Sequence, residues 1–290
     1  MSSLDQANPG TLRLVSAIDR NYVVPWSAMI ASLRDHNQDV PADVFILQYD
    51  LTPDDIAYIE RVAVATGVRV NIVQISPYPF ALFHTRRRRN YLSTRSSMSP
   101  IAYVKAFVDR LLPANLDRIV TIDADIIVSG RMDELLTMNL SRPVAAVANI
   151  TRDHYHQFNS GFMLVDLREW RKRRISEVAY NFLLAHSDAL HTHDQQVLNL
   201  IFGDEWLRLH PKWNYMEDYY RLRDRASAYS QDEIDAAHRS PIVIHYKNSG
   251  DKPWHRNSVH PRAGLYGRYV DAMRPHRAGL ALFDPADPST

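Results

Sequence analysis

Arg118-Ile-Val-Thr-Ile-Asp123-Ala-Asp125-Ile-Ile-Val128 is an apolar, β-branched run that two carboxylates interrupt before it resumes. Such a run predicts a strand over Arg118–Ile122 that is buried on both faces, as in a parallel sheet. Comparable runs lie at Leu12–Ile18, Val44–Gln48, Val68–Ile75, Pro143–Ala148, Gly161–Val165 and Ile242–His245. Helical patterns separate them, and that alternation predicts an α/β fold with a largely parallel sheet between helical layers.

The helices carry their own punctuation. Pro25–His36 reads as one, with its proline in the first turn, where no backbone donor is lost. Thr52-Pro53-Asp54-Asp55 supplies an N-cap, a first-turn proline and two acids facing the helix dipole, and Gly67 supplies the stop. Ser99-Pro100 opens a further helix whose Ile101, Val104, Val108 and Leu111 form a buried face before Pro113 ends it. Asp166–Ser187 predicts one long amphipathic helix with Arg171–Arg174 on its solvated side, and Thr192–Phe202 a shorter one closed by Gly203. The sequence shows no repeat and no linker. It reads as a flexible start over residues 1–11, one domain over 12–254, and an extension over 255–290 that packs on the domain and frays at its end.

Two carboxylates inside a buried run are costly unless their charge is compensated. A divalent cation with oxygen ligands would do so, at a strand end where open α/β sheets bind ligands. Helix capping or pairing with arginines would also do so. A second stretch, Pro241-Ile-Val-Ile-His245-Tyr-Lys-Asn-Ser-Gly250-Asp-Lys252-Pro-Trp254, delivers an imidazole at a strand end and then a lysine on a glycine-containing loop. Imidazole suits a third metal ligand, and a loop lysine suits a phosphate.

Composition removes several classes. The 290 residues hold 34 Lys plus Arg against 33 Asp plus Glu, a net charge of +1, which argues against a nucleic-acid binder. Cysteine is absent, so thiolate zinc sites, cysteine nucleophiles and disulfides are excluded. No run approaches the roughly 18–20 apolar residues of a membrane span. The start carries no secretory pattern. These features predict a cytoplasmic enzyme, with peripheral contact at the inner membrane face left open.

The two stretches together, in this order and over Leu12–Trp254, resemble the family 8 glycosyltransferases, retaining enzymes that use nucleotide sugars. The resemblance implies a GT-A type Rossmann-like domain, a UDP-sugar donor and a Mn²⁺ ion, with Mg²⁺ as the alternative. It implies that Ala17, Asp19, Asn21 and Tyr22 hold uracil and ribose, and that Asp123, Asp125 and His245 hold the metal. Asp123 and Ala124 would also border the donor, and Gly250 and Lys252 would close on the diphosphate. Asn159 and Gly161 would touch the donor sugar, and Asp194 and Gln195 would stand beside the reacting carbon.

Three positions depart from the family pattern. Lys105 stands where arginine is usual, and it keeps the charge without the bidentate fork. Asn149 stands where many members have aspartate. Seven positions instead of six separate His245 from Lys252. The resemblance implies transfer of a hexose, galactose or glucose, to a hydroxyl of a glycan, lipid-linked or small-molecule acceptor. A nucleotide-sugar hydrolase, a transferase for another UDP-sugar and a non-catalytic nucleotide-sugar module are the competing readings. Arg86–Arg89 reads as a solvated loop or as a cover for donor, anionic acceptor or membrane surface.

Overall fold

The computed structural model describes residues 10–76, 100–149, 157–186, 193–221 and 228–286. The β-branched runs become β1 (Leu12–Ala17), β2 (Ala42–Gln48), β3 (Arg69–Gln74), β4 (Arg118–Ile122), β5 (Ile126–Val128), β6 (Val144–Ala148), β7 (Phe158–Asp166), β8 (Leu207–Arg208) and β9 (Val243–His245). Seven of them form one sheet in the order β3-β2-β1-β4-β7-β6-β8, and β5 pairs with β9 beside it. β3, β2, β1 and β4 run parallel. β7 is antiparallel to both neighbours, and β8 is parallel to β6. The expected mixed, mostly parallel sheet is what forms. β5 and β8 were not anticipated, because runs of two or three residues carry no readable period.

Strand alternation sends side chains to two cores. Leu14, Val44 and Ile46 meet Met29, Leu33, Tyr58 and Ile59 on one face. Val15, Phe45 and Leu47 meet Val104, Val108, Trp170 and Leu198 on the other. The helix Pro53–Thr66 opens on the expected N-cap, which the structure shows to be a capping box. Thr52 Oγ1 accepts the Asp55 N–H at 3.2 Å, and the Asp55 carboxylate accepts the Thr52 N–H at 2.8 Å. Gly67 ends the helix at a φ of 68°, a left-handed conformation that costs glycine least.

Two helical expectations need correction. Pro100–Phe107 is a 3₁₀ helix, and only Val108–Leu111 is α-helical. The three-residue repeat aligns Ile101, Val104 and Phe107, all buried, while Leu111 is only half-buried. The long helix expected from Asp166 is instead two, Leu167–Lys172 and Ile175–His186, divided at Arg174 with a φ of 54°. Arg171 is not on a solvated side. Its guanidinium donates to the carbonyls of Pro113, Ala114 and Leu116 at 2.9, 3.1 and 2.6 Å, tying this helix to the loop before β4.

The helix Ala263–Met273 lays Tyr266, Tyr269 and Met273 against the first core. Arg268 of this helix pairs with Asp35 at 3.1 Å, and Arg274, just past its end, pairs with Asp271 at 2.5 Å. Among the described residues no helix is long and apolar enough to cross a membrane.

Candidate active site

Sheet register brings the distant motifs together. β4 ends with Ile122 opposite Phe162 of antiparallel β7. The next residue, Asp123, therefore lies beside Gly161, whose carbonyl accepts the Asp123 N–H at 2.9 Å. Asp125 leads into β5, whose Ile126 pairs with His245 of β9. Residues more than a hundred positions apart thus converge at one sheet end.

The resulting cluster consists of two carboxylates and an imidazole. His245 Nε2 lies 3.4 Å from Asp125 Oδ1 and 3.9 Å from Asp123 Oδ2. One ligand atom from each of the three lies within 4.8 Å of the others. Two carboxylate oxygens and a ring nitrogen are a donor set that fits a Mn²⁺-like divalent ion. Gly161 makes room for the ring, since a Cβ there would stand 2.2 Å from His245 Cε1.

Compensation of the two carboxylates comes from lysines, not the arginines considered from sequence. Lys105 Nζ contacts Asp123 Oδ1 and Asp194 Oδ2, each at 2.9 Å, and donates to the Ser160 carbonyl at 3.0 Å. Lys252 Nζ donates to Asp125 Oδ2, and to the Tyr246 carbonyl at 2.7 Å. Both lysine side chains are 8% exposed. Burial alone would lower the Lys105 ammonium, but Asp123 and Asp194 outweigh it and hold it above its ordinary value. Burial would likewise raise Asp125, yet Lys252 and His245 hold it well below the usual carboxylate range. Asp123 goes the other way. Desolvation, with Asp125 and Asp194 adding repulsion, exceeds the pull of Lys105 and His245 and raises its carboxyl.

Behind the cluster runs a chain of amides. His245 Nδ1 lies 3.0 Å from Asn214 Oδ1. Asn214 Nδ2 donates to Asn159 Oδ1 at 2.8 Å, and Asn159 Nδ2 donates to Gln195 Oε1 at 2.9 Å. Asp194 and Gln195 stand in the first turn of the helix His193–Phe202, where Asp194 Oδ1 also accepts the Gln195 N–H at 2.8 Å. Asn214 has no exposed surface, and nothing in the sequence singled it out. Only its place after Trp213 in a short 3₁₀ turn begun by Pro211 hints at burial.

The remaining expected residues lie on several elements. Ala17 ends β1, and the Asp19 carboxylate accepts the Asn21 N–H at 3.0 Å to shape the turn that follows. Tyr22 lies edge-on to Trp254, ring centroids 6.0 Å apart. Burial, then Asp125, Asp123 and Asp19, raise its phenol, which places the ring in the field of the cluster. Ala124 is buried between the two aspartates. Asn149 follows β6, its N–H bonded to the Gln157 carbonyl at 2.6 Å. Gly250 is exposed, its N–H bonded to Asn248 Oδ1 at 3.0 Å. Arg86–Arg89 lies outside the described residues.

A Rossmann-like sheet that ends in an Asp-x-Asp pair and an imidazole agrees with the GT-A glycosyltransferase fold that the sequence resembles. The model of Glycosyl transferase family 8 matches residues 13–258, and the chain belongs to that family. General stress protein A of Bacillus subtilis is 26% identical over 277 residues, covering 89% of this chain and 93% of its own length. The glycosyltransferase GlyF of Streptococcus pneumoniae is 28% identical over 263 residues, 89% of this chain and 61% of that longer protein. A lipopolysaccharide 1,2-glucosyltransferase of Escherichia coli K12 is 23% identical over 88% of this chain and 76% of its own. The fold is shared with the galactosyltransferase LgtC, solved in complex with donor and acceptor sugar analogues. Its TM-score is 0.74 at 20% identity, covering 90% of this chain and 96% of that one.

Proposed function

We propose that the chain transfers a hexose, galactose or glucose, from a UDP-sugar to a glycan or lipid-linked hydroxyl with retention of configuration. The observation that carries this reading is the convergence of Asp123, Asp125 and His245 with two buried lysines. Asp123, Asp125 and His245 would hold the Mn²⁺, with Mg²⁺ as the alternative. Bound there, the cation supplies Lewis-acid neutralisation of the leaving diphosphate, worth several kcal/mol of barrier. The similarity to a glucosyltransferase acting on lipopolysaccharide supports a hexose and a glycan acceptor.

The chain's own groups would divide the remaining work. Ala17, Asp19, Asn21 and Tyr22 border the nucleoside end, and Tyr22 is steadied by Trp254. Lys252 adds a second positive contact to the diphosphate when it exchanges Asp125 for phosphate oxygen. Asn159 and Gly161 meet the sugar, while Asn149 and Gly250 lie at the rim. Asp194, fixed by Lys105, orients sugar and acceptor hydroxyls and favours positive charge developing on the ring. An amide is a poor nucleophile, so Gln195 supports attack on the leaving-group face, with the acceptor proton passing to a departing phosphate oxygen.

Calorimetric titration with UDP tests this. Binding is expected with Mn²⁺, to be lost with EDTA, and to be lost in Asp125→Ala even with Mn²⁺ present. UDP binding that ignores both metal and Asp125 would overturn the reading.

A further inference from the structure

The amide chain behind the cluster has a direction, and backbone donors fix it. The Gly161 N–H donates to Asn159 Oδ1 at 3.0 Å, so this atom is the oxygen and the other end of the Asn159 amide is the nitrogen. The Ser160 N–H points at Gln195 Oε1 at 3.4 Å, fixing that atom as an oxygen too. Asn159 Nδ2 then donates to Gln195, as its 2.9 Å contact requires. Asn159 Oδ1 also receives Asn214 Nδ2 at 2.8 Å, which leaves Asn214 Oδ1 facing His245 Nδ1. An oxygen facing a ring nitrogen at 3.0 Å demands that the nitrogen carry the proton. A proton therefore belongs on Nδ1, and Nε2 is the ring nitrogen presented to Asp123 and Asp125.

We infer that Asn214 is a positioning residue that keeps a proton on His245 Nδ1, so that Nε2 is the atom offered to a cation, and, through Asn159, fixes the orientation of the Gln195 amide. The first half prepares a metal ligand, because only an unprotonated ring nitrogen can bind a cation. The second half bears on specificity. With Oε1 accepting from Asn159 and Ser160, the Gln195 amide beside Asp194 is held in one orientation. One side chain thus couples the metal end of the site to the sugar end. Gly161 belongs to the same device, since its N–H sets the polarity of the chain and its missing side chain admits the imidazole. The inference rests on the UDP-sugar reading for its consequences in turnover, but the tautomer itself does not.

The test combines long-range ¹H–¹⁵N spectra of histidine-labelled, metal-free protein with Mn²⁺ titration by electron paramagnetic resonance. Above the pH at which the ring gives up its second proton, the wild type should keep the remaining proton of His245 on Nδ1. In Asn214→Ala that pattern should give way to Nε2–H or a mixture, and the Mn²⁺ dissociation constant should rise about 10- to 100-fold, the usual cost of losing an outer partner of a ligating histidine. Asn214→Asp can accept from Nδ1–H but cannot donate to Asn159. It should keep Mn²⁺ affinity within a few-fold of wild type while hydrolysis of UDP-galactose and UDP-glucose falls at least tenfold in kcat. An unchanged tautomer with unchanged affinity in Asn214→Ala would overturn the inference. So would equal loss of affinity and turnover in Asn214→Asp, which remains decisive if the alanine variant does not fold. Wild-type protein with the Nδ1–H pattern but no turnover of any UDP-sugar would count against the donor reading and leave the tautomer assignment standing.

Discussion

Each aspartate of the Asp-x-Asp pair is matched to a lysine, and the two matches are made of different material. Lys105 rises from a 3₁₀ helix whose neighbours are buried, and it ties together Asp123, Asp194 and the Ser160 carbonyl, three groups on core elements. Lys252 comes from the loop after β9, whose Asn248–Gly250 segment is exposed, and it holds Asp125 and the Tyr246 carbonyl. The first cation is part of the frame. Under the proposed function, the second would yield its contact with Asp125 to a metal or a phosphate. A site of this kind divides charge compensation between a permanent partner and an exchangeable one.

The largest expected effect breaks that comparison open. Lys105→Met leaves Asp123 and Asp194 facing each other without a cation, which should cost about 3–5 kcal/mol of unfolding free energy. Lys252→Met should cost less, because Asp125 keeps His245 beside it. Urea unfolding with and without Mn²⁺ checks the contrast. The metal should restore most of the loss in Lys252→Met and little of it in Lys105→Met. Equal losses, equally restored, would mean that both lysines belong to the same class.

The comparison also explains what the sequence made legible. The fold was readable because β-branched runs and caps act locally, as at Thr52–Asp55 and Gly67, where each residue reports its own backbone need. The carboxylates and the imidazole were readable because polar groups at the ends of apolar strands are conspicuous. The lysine pairings were not, since which cation reaches Asp123 depends on β4 meeting β7 and on a 3₁₀ helix read as α. Asn214 was invisible for a stronger reason. A buried asparagine looks like any surface asparagine until the neighbours that require it are in place. The break at Arg174 was hidden likewise, because the residues around it keep helical character on both sides.

A mutation of intermediate size sharpens the same contrast on the frame side. Gly161→Ala puts a methyl group 2.2 Å from the His245 ring, and the backbone of β7 is held by β4 and β6. The ring must move instead, taking Nε2 away from Asp123 and Asp125. Mn²⁺ affinity should fall about 10- to 100-fold, like the loss of an outer partner, while the thermal unfolding midpoint stays within a few degrees. Affinity close to wild type would show that the ring has slack, and the frame would then be softer than its burial implies.

The smallest effect concerns the proton that competes with the metal. Metal binding needs Asp123 ionised, and its carboxyl is raised by burial and by the neighbouring acids. Mn²⁺ affinity should therefore decline on acidification at a pH above the ~3.9 of an unperturbed aspartate, with a proton displaced for each ion bound. Asp125, held low by Lys252 and His245, stays ionised across the same range and contributes no such loss. Asp194→Asn removes one like charge from Asp123, so the midpoint of the decline should move to lower pH by a fraction of a unit. Since Lys105 also gives up a partner in that variant, its whole ammonium becomes available to Asp123, and both changes act in the same direction. A midpoint that moves upward, followed by Mn²⁺ titration across the acid range, would mean that Asp194 supports the ionised form of Asp123 through Lys105 more than it opposes it, and that the frame side of the site works as one unit.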